Sequence, residues 1–214
     1  MFEPGTAHSA AISLTDRAEP RTPDRASTSQ GLAGANYYVE PLDTTQLLLP
    51  IHAEDHVYGT DSASFTLVEY GDYACPECGR LFSIIRELQA ALGERLRIVY
   101  RHYPLGGIHP TAQEAAEAAE AAGAQGRFWE MHDLLFQNQD ALAHKNLLAY
   151  AESLRLDSDR FSRELKKRVY EDRVREDFRR GVQNGVYKTP GLFLNGVRHD
   201  GAWDRDILLR ILTQ

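Results

Sequence analysis

The chain has 214 residues, of which 43% are hydrophobic and 26% charged, and its 24 basic and 31 acidic side chains give a net charge of −7. This balance is ordinary for a globular protein and excludes a fibrous or wholly disordered chain. The excess of acid disfavours a dedicated nucleic-acid binder, and no stretch approaches the roughly 18 consecutive apolar residues that a spanning helix needs. We therefore predict no nucleic-acid partner and no membrane insertion.

The first 45 residues are predicted to form a disordered tail. Between Glu3 and Asn36 nearly all side chains are small, polar or charged, so this segment can bury too little apolar surface to offset the entropy of ordering. Residues 1–13 lack the basic segment and apolar run of a secretory signal, so we expect a cytoplasmic protein. Export is the alternative if a signal has been removed.

The next part of the sequence predicts a parallel strand–helix–strand unit. Residues 52–62 are expected to be a loop, and residues 64–70 a strand because they are rich in β-branched and aromatic side chains. Apolar residues at steps of three and four predict a helix over 76–92, which Gly93 would end. A second strand is expected over 95–100. A crossover this short indicates a βαβ unit in an α/β protein.

Helices are predicted in the middle of the chain and a hairpin near its end. The segments 111–122, 127–137 and 147–154 have helical patterns, and a long helical region from about 158 ends near Asn184. The Ala/Glu-rich helix over 111–122 is expected to be a solvated helix that packs through its alanines. The dipeptide Asn195-Gly196 between two apolar runs is the strongest short signal for a hairpin, and residues 203–212 predict a closing amphipathic helix.

The chemistry centres on Cys75-Pro76-Glu77-Cys78, which contains the chain's two cysteines. The motif follows a predicted strand and opens a predicted helix, where free N–H groups and the helix dipole favour a thiolate on the first cysteine. The spacing places both sulfurs on one helix face, within reach of a disulfide. Cys75 is therefore predicted to be an exposed attacking thiolate, and Cys78 the resolving thiol.

Half of a structural zinc site is the alternative for the cysteine pair. The sequence offers no second pair of cysteines. The histidines nearest to Cys75 and Cys78 do not stand at the spacing of a zinc motif from these cysteines. These histidines are His52, His56, His102 and His109. We therefore predict no metal and no cofactor beyond the redox-active pair.

Four segments resemble the DsbA family of thioredoxin-fold proteins. Leu67–Cys78 is similar to the active-site segment of that family, and Arg101–Leu105, Gln125–Glu130 and Gly185–Gly196 resemble the segments after the second strand, in the inserted helices and around the proline loop. The resemblance implies a thioredoxin fold over residues 46–214, with a helical subdomain inserted at about 106–170.

The resemblance also implies roles for three residues outside the motif. Glu69 would be a buried carboxylate that helps move the proton of Cys78, and its alternative is a glutamate that is paired with a base or exposed at an edge. Pro190 would be a cis-proline beside the disulfide, with Thr189 before it offering backbone groups to an extended substrate. The alternative is an ordinary trans proline at the start of a strand.

One position departs from the strongly oxidising members of the family, which carry a histidine between the cysteines. This chain has Pro76 followed by Glu77, and a carboxylate disfavours a neighbouring thiolate. We therefore expect Glu77 to raise the pKa of Cys75 and the potential to lie nearer the thioredoxin value of about −270 mV than the roughly −120 mV of the strongest oxidants.

The resulting hypothesis is a thiol-disulfide oxidoreductase that acts on protein or peptide thiols. It requires an electron donor or acceptor for recycling. Two alternatives remain open. A disulfide isomerase or thioredoxin-like reductase would differ in potential and dimer state, and a redox-sensing binding or chaperone module would still bind substrate without either cysteine.

Overall fold

The computed structural model describes residues 46–47 and 50–214, and the predicted tail, residues 1–45, lies outside them. In this part of the chain five strands form one mixed sheet of order β1-β3-β2-β4-β5. The strands are β1 (His56–Tyr58), β2 (Phe65–Gly71), β3 (Leu96–His102), β4 (Gly191–Leu194) and β5 (Val197–His199). The fold is an α/β thioredoxin fold, as the sequence predicts.

The active-site half of the sheet is the predicted βαβ unit. β2 and β3 are parallel, with Phe65 opposite Leu96 and Gly71 opposite His102. Helix α1 (Pro76–Leu92) makes the crossover and ends at Gly93, whose φ is +56°. Its buried leucines pack on one sheet face together with those of the last helix, which extends over Arg205–Leu212.

Five helices lie between β3 and β4, among the described residues. They are α2 (Ala112–Gly123), α3 (Phe128–Gln137), α4 (His144–Ser153), α5 (Ser158–Lys166) and α6 (Glu171–Gln183), and the closing helix is α7 (Arg205–Leu212). The apolar faces of α2 to α5 form a core that also includes Cys75 and Cys78. The cysteine pair therefore lies where the helical layer meets the sheet. None of the described helices is long and apolar enough to cross a membrane.

Two elements differ from the sequence prediction. The expected loop over 52–62 contains β1, which is antiparallel to β3 and only three residues long, too short to produce an alternating pattern. The long helical region is two helices, because Arg168 adopts a left-handed φ of +52° between α5 and α6. The hairpin at Asn195-Gly196 is confirmed, with both residues at positive φ.

Helix α2 packs through its alanines as predicted, but the prediction that it is solvated is wrong for two of its glutamates. This helix is buried on nearly all sides, including the carboxylates of Glu117 and Glu120. Glu117 accepts a hydrogen bond from Arg168 at 2.8 Å, and Glu120 faces two histidines. Glutamates in an alanine-rich helix are typical of a solvated face, and only their partners from distant segments allow them to be buried here.

Candidate active site

The two cysteines occupy the first turn of α1. Cys75 is the N-cap residue, Pro76 is the first helical residue, and both cysteines are free thiols. Cys78 is fully buried and Cys75 is only 6% exposed. The prediction of an exposed Cys75 is therefore wrong, because the sequence did not show that the helical layer and the proline loop would both pack around it.

Asp72 holds the turn that leads into the motif. Its main-chain oxygen accepts a hydrogen bond from the N–H of Cys75 at 3.1 Å. Its buried carboxylate accepts from the N–H groups of Ala74 and Leu105 at 2.8 and 2.9 Å and lies 2.8 Å from Nδ1 of His109. One side chain thus ties the active-site turn to the loop after β3.

Gln139 is a site residue that the sequence reasoning missed. It follows α3, and its Nε2 donates to the main-chain oxygens of Tyr73 and Cys75, both at 2.8 Å. A single amide on a short helical turn produces no motif or periodicity. The helical layer therefore supports the redox turn through a residue that only the tertiary structure could reveal.

The proline loop lies against Cys75. The peptide bond between Thr189 and Pro190 is cis, as the resemblance implies. The main-chain oxygen of Thr189 is 3.6 Å from Sγ of Cys75. The structure therefore brings these two residues, which are more than a hundred positions away in sequence, to the cysteine pair.

The environment of Cys75 favours a thiolate and lowers its pKa to about 5. The largest cause is a hydrogen bond from the thiol of Cys78. Burial acts in the opposite direction, and the nearby Thr189 and the N–H groups of Cys78 and Glu77 lower the pKa further. The start of α1 thus stabilises negative charge on this sulfur.

Cys78 has the opposite character. Burial raises its pKa well above the usual value, and the hydrogen bond to Cys75 and the charge of Glu69 act in the same direction. At neutral pH the pair therefore consists of a thiolate at Cys75 and a thiol at Cys78.

Glu69 lies on β2 beneath the pair and is 2% exposed. Its Oε1 has no hydrogen-bond partner among the described residues. Burial, and then the negative charge of Cys75, raise the pKa of its carboxyl group to about 8. A carboxyl group with this pKa is able to exchange a proton near neutral pH.

Glu77 has a partner that the motif alone does not show. It lies on the exposed side of α1, where both carboxylate oxygens accept from Nη1 of Arg80 at 2.9 Å. The pKa of Cys75 is lowered overall, so the charge of Glu77 does not decide the direction of its shift. The ion pair with Arg80 offsets the charge of Glu77. The hydrogen bonds to Cys75 determine the direction in which the pKa of Cys75 shifts.

One cluster in the described residues offers three metal-ligand atoms, on His56, His102 and Glu120. Both imidazoles use Nε2 to contact the same oxygen of Glu120, at 2.8 and 3.0 Å. Nε of Arg173 lies 3.8 Å from that oxygen and brings a positive charge that disfavours a cation there. The contacts describe an internal hydrogen-bonded charge cluster.

Sequence comparisons show which known proteins this chain is similar to. A protein-family model described as thioredoxin matches residues 52–214. A sodium/proton antiporter of Salinispora arenicola is 46% identical over 168 residues, which cover 78% of this chain and 26% of that protein. An antiporter of Herminiimonas arsenicoxydans is 38% identical over 164 residues, with 76% and 26% covered. The chain thus spans about a quarter of the length of these curated relatives.

Solved structures with the same fold include several thiol-disulfide exchange proteins. A thioredoxin-like oxidoreductase from Silicibacter pomeroyi has a TM-score of 0.67 and 23% identity, covering 76% of this chain and 92% of that one. BdbD from Bacillus subtilis has a TM-score of 0.66 and 23% identity, with 75% and 94% covered. The alpha-DsbA1 protein of Wolbachia pipientis has a TM-score of 0.67 and 19% identity, with 79% and 94% covered.

Proposed function

This chain belongs to the thioredoxin family, and we propose that it is a thiol-disulfide oxidoreductase that exchanges disulfides with protein or peptide thiols through Cys75 and Cys78. The observation that carries the proposal is the division of charge within the pair. The pKa of Cys75 is lowered to about 5, whereas burial raises that of Cys78 well above the usual value. The Cys75 sulfur is thus ready to attack as a thiolate, whereas the Cys78 sulfur stays protonated until the resolving step.

The proposed cycle transfers two electrons and needs no bound cofactor. The Cys75 thiolate attacks a substrate disulfide, forms a mixed disulfide and releases one substrate sulfur as a thiolate. Cys78 then loses its proton and attacks Sγ of Cys75, which releases the second substrate sulfur and leaves the Cys75–Cys78 disulfide. The reverse sequence oxidises a substrate dithiol, and a separate donor or acceptor of electrons restores the starting state.

Glu69 is proposed to take the proton of Cys78 in the resolving step. Part of the rise in its pKa comes from the negative charge of Cys75. That charge disappears when Cys75 enters the mixed disulfide, so the pKa of Glu69 falls at the stage when a base is needed. The carboxylate then accepts the Cys78 proton, and the resulting thiolate attacks.

The proline loop is proposed to dock the substrate. The carbonyl of Thr189 lies 3.6 Å from Sγ of Cys75, so a peptide extended along Thr189–Pro190 would hold its cysteine next to the attacking sulfur. Thr189→Ala or Pro190→Ala is expected to weaken docking or slow substrate release without unfolding the protein. Steady-state kinetics together with thermal melting measures both effects.

The decisive experiment separates the roles of the two cysteines. Cys75→Ser should abolish dithiol exchange, and Cys78→Ser should trap substrates as mixed disulfides on Cys75. The readouts are insulin reduction and non-reducing gels. If Cys75→Ser stays active and Cys78→Ser traps nothing, the assignment is wrong.

The same variants test the alternatives. A binding or chaperone module would still bind unfolded protein at wild-type affinity after both cysteines are replaced. It would not change the redox state of its clients. An isomerase would rearrange scrambled disulfides faster than it forms new ones. Either result would contradict the proposed exchange activity and support the corresponding alternative.

The curated relatives favour a particular partner. Segments 46% and 38% identical to this chain occupy 26% of proteins described as sodium/proton antiporters. We propose that a membrane antiporter is a client of this domain. Trapping with Cys78→Ser in membranes of the source cell, followed by mass spectrometry, should recover antiporter peptides, and recovery of other clients alone would contradict this.

A cytoplasmic location is also a proposal. It is supported by cysteine usage, since the chain has two cysteines and both lie in the redox motif, whereas exported proteins often carry structural disulfides. Labelling of intact and permeabilised cells with a membrane-impermeant maleimide tests it. Labelling of Cys75 in intact cells would show export.

A further inference from the structure

The proline loop carries an exposed tyrosine and an exposed lysine just before the residue that contacts Cys75. Tyr187 is 66% exposed, and Lys188 is exposed next to it. Thr189 follows, and its main-chain oxygen is 3.6 Å from Sγ of Cys75. Lys188 is therefore one residue away from the contact with the sulfur that attacks the substrate in the proposed cycle.

An anchored arginine holds the ring of Tyr187. Nη1 of Arg198, on β5, donates to the main-chain oxygen of Gly185 at 2.8 Å, and its Nε lies 2.8 Å from the carboxylate of Asp200. The guanidinium carbon of Arg198 is 5.1 Å from the centre of the Tyr187 ring, and Nζ of Lys188 is 5.8 Å from the same centre. Cations at these distances are attracted by an aromatic ring. Tyr187 thus restrains the ammonium group of Lys188 beside the loop.

The charge of Lys188 has no carboxylate partner in the part of the chain that the structure describes. Asp200 lines the same surface depression as Lys188 but is paired with Arg198 at 2.8 Å. Glu77, between the two cysteines, is paired with Arg80 at 2.9 Å. The whole chain carries a net charge of −7. Lys188 therefore places an unbalanced positive charge beside the redox pair of an otherwise acidic protein.

A peptide that docks along Thr189–Pro190 would pass next to this charge. An extended chain advances about 3.3 Å per residue, so the residues one and two positions from the substrate cysteine stay within about 7 Å of it. Lys188 stands one position before Thr189, at a matching spacing along the loop. An acidic side chain at those positions of the substrate would be attracted by the ammonium group, and a basic one would be repelled. Such an attraction is modest at an exposed site and is screened by salt.

We propose that Lys188 selects substrates that carry an acidic side chain one or two residues from their reactive cysteine, with Tyr187 holding the ammonium group beside the docked peptide. The inference rests on the proposed function, and it names acidic protein segments as the class of substrate. The exchange of bonds follows the cycle described above without any change. Lys188 is thus a specificity-determining residue, which attracts the substrate and forms no bond to sulfur.

Peptide disulfides that differ in one residue test this preference. Three symmetric disulfides are made from one cysteine peptide with Glu, Gln or Lys next to the cysteine, and the second-order rate constant of their reduction by the reduced full chain is measured. Lys188→Gln gives the intrinsic reactivity of each disulfide. At low salt the wild type should favour the Glu peptide over the Lys peptide by about two- to fivefold more than this variant does. Lys188→Glu should reverse the preference, and about 0.5 M salt should remove most of it.

A second lysine and a second measurement provide the controls. Lys167 is an exposed residue at the end of α5, so Lys167→Gln removes the same charge and should keep the wild-type preference. Alkylation of Cys75 by anionic iodoacetate and by neutral iodoacetamide reports the local charge without any substrate. The ratio of the two alkylation rates should fall about twofold in Lys188→Gln and stay unchanged in Lys167→Gln.

The possible failures are distinguishable. If the wild type and Lys188→Gln show the same ratio between the Glu and Lys peptides, the proposed selection is wrong and the exchange activity stands. An equal loss of preference in Lys167→Gln would assign the effect to net charge and overturn the proposal. If Lys188→Gln slows only the reduction of glutathione disulfide, the charge serves a small anionic substrate and acidic protein segments are the wrong class. If the wild type reduces none of the peptide disulfides, the proposed function itself fails, whatever residue stands at position 188.

Discussion

At the residue scale, Cys75 and Glu69 make opposite contributions to the pH dependence of stability in the reduced protein. The pKa of Cys75 falls to about 5 on folding, from about 8.5 in an unfolded chain. The stability it contributes is therefore fully present above about pH 8.5 and is lost as the pH falls toward 5. The pKa of Glu69 rises to about 8, from about 4.3. Its contribution is fully present at low pH and is lost as the pH rises toward 8, so the two slopes oppose each other between pH 5 and 8.

Glu69→Gln should reveal the pH dependence of the free energy of unfolding that Cys75 contributes. The free energy of unfolding of the reduced wild type is expected to change little between pH 5 and 8 on account of these two groups. The variant should gain up to about 1.4 kcal/mol per pH unit over the same range. Urea unfolding under reducing conditions measures this slope.

An exposed acid provides the control for that experiment. Glu152 lies on the exposed side of α4, so Glu152→Gln should keep the wild-type pH dependence. If Glu69→Gln and Glu152→Gln show the same slope, Glu69 does not change its protonation on unfolding in this range.

At the element scale, α1 is fixed to the helical layer through Gly79 and Gln139. A Cβ atom at Gly79 would stand 2.0 Å from Oε1 of Gln139. The same amide holds the main chain of Tyr73 and Cys75 through its Nε2. The glycine thus allows a close approach that positions the redox turn.

A double-mutant cycle tests this contact. Inside a helix, glycine to alanine normally stabilises by about 0.5–1 kcal/mol. Gly79→Ala alone should instead lower the free energy of unfolding, because the methyl group displaces Gln139. In a Gln139→Ala background the same substitution should stabilise the protein. Additive effects in thermal melts would show that the two residues do not interact.

The same scale shows what the sequence could and could not predict. Helix α1 was predicted with its observed bounds because its apolar period, Pro76 and Gly93 all act locally. Strand β1 and the support from Gln139 depend on partners far away in the chain, so local patterns did not reveal them. The burial of Glu69 was available only through the family resemblance, since a strand of this length accepts a glutamate on either face.

At the scale of the whole molecule, residues 46–214 are proposed to fold without the preceding segment. Gln46 bridges to Val197, and the N–H of Leu47 donates to the oxygen of Gly196 at 2.8 Å. The oxygen of Pro50 accepts from the buried Arg101 at 2.9 Å. The first residues of this part of the chain therefore already take part in its tertiary structure.

Two fragments test this boundary. The fragment 46–214 should melt at the temperature of the full chain. The fragment 52–214 lacks Pro50 and should lose about 1–3 kcal/mol from the buried guanidinium, which corresponds to a fall in Tm of roughly 2–12 °C. Calorimetry on both fragments measures the difference, and a lower Tm for 46–214 would show that earlier residues contribute to stability.

The reduction potential depends on the difference in free energy between the oxidised and the reduced protein. The lowered pKa of Cys75 changes the potential that we expect. A stable thiolate favours the reduced form and makes the disulfide more oxidising. Cys75, with a pKa of about 5, lies between thioredoxin, at about 7 and about −270 mV, and DsbA, at about 3.5 and about −120 mV. We therefore expect an intermediate potential, above the thioredoxin-like value predicted from Glu77 alone.

Replacing Glu77 should still tune this potential, because the ion pair with Arg80 offsets its charge without removing it. Glu77→His should raise the potential by tens of millivolts, at about 30 mV for each 1.4 kcal/mol of thiolate stabilisation. Glu87→His, nearly three turns further along α1 on an exposed side chain, should leave it unchanged. Equilibration with glutathione buffers measures all three proteins together. A wild-type potential at either extreme, unchanged by Glu77→His, would show that neither the pKa of Cys75 nor the residue at position 77 determines the oxidising power of this disulfide.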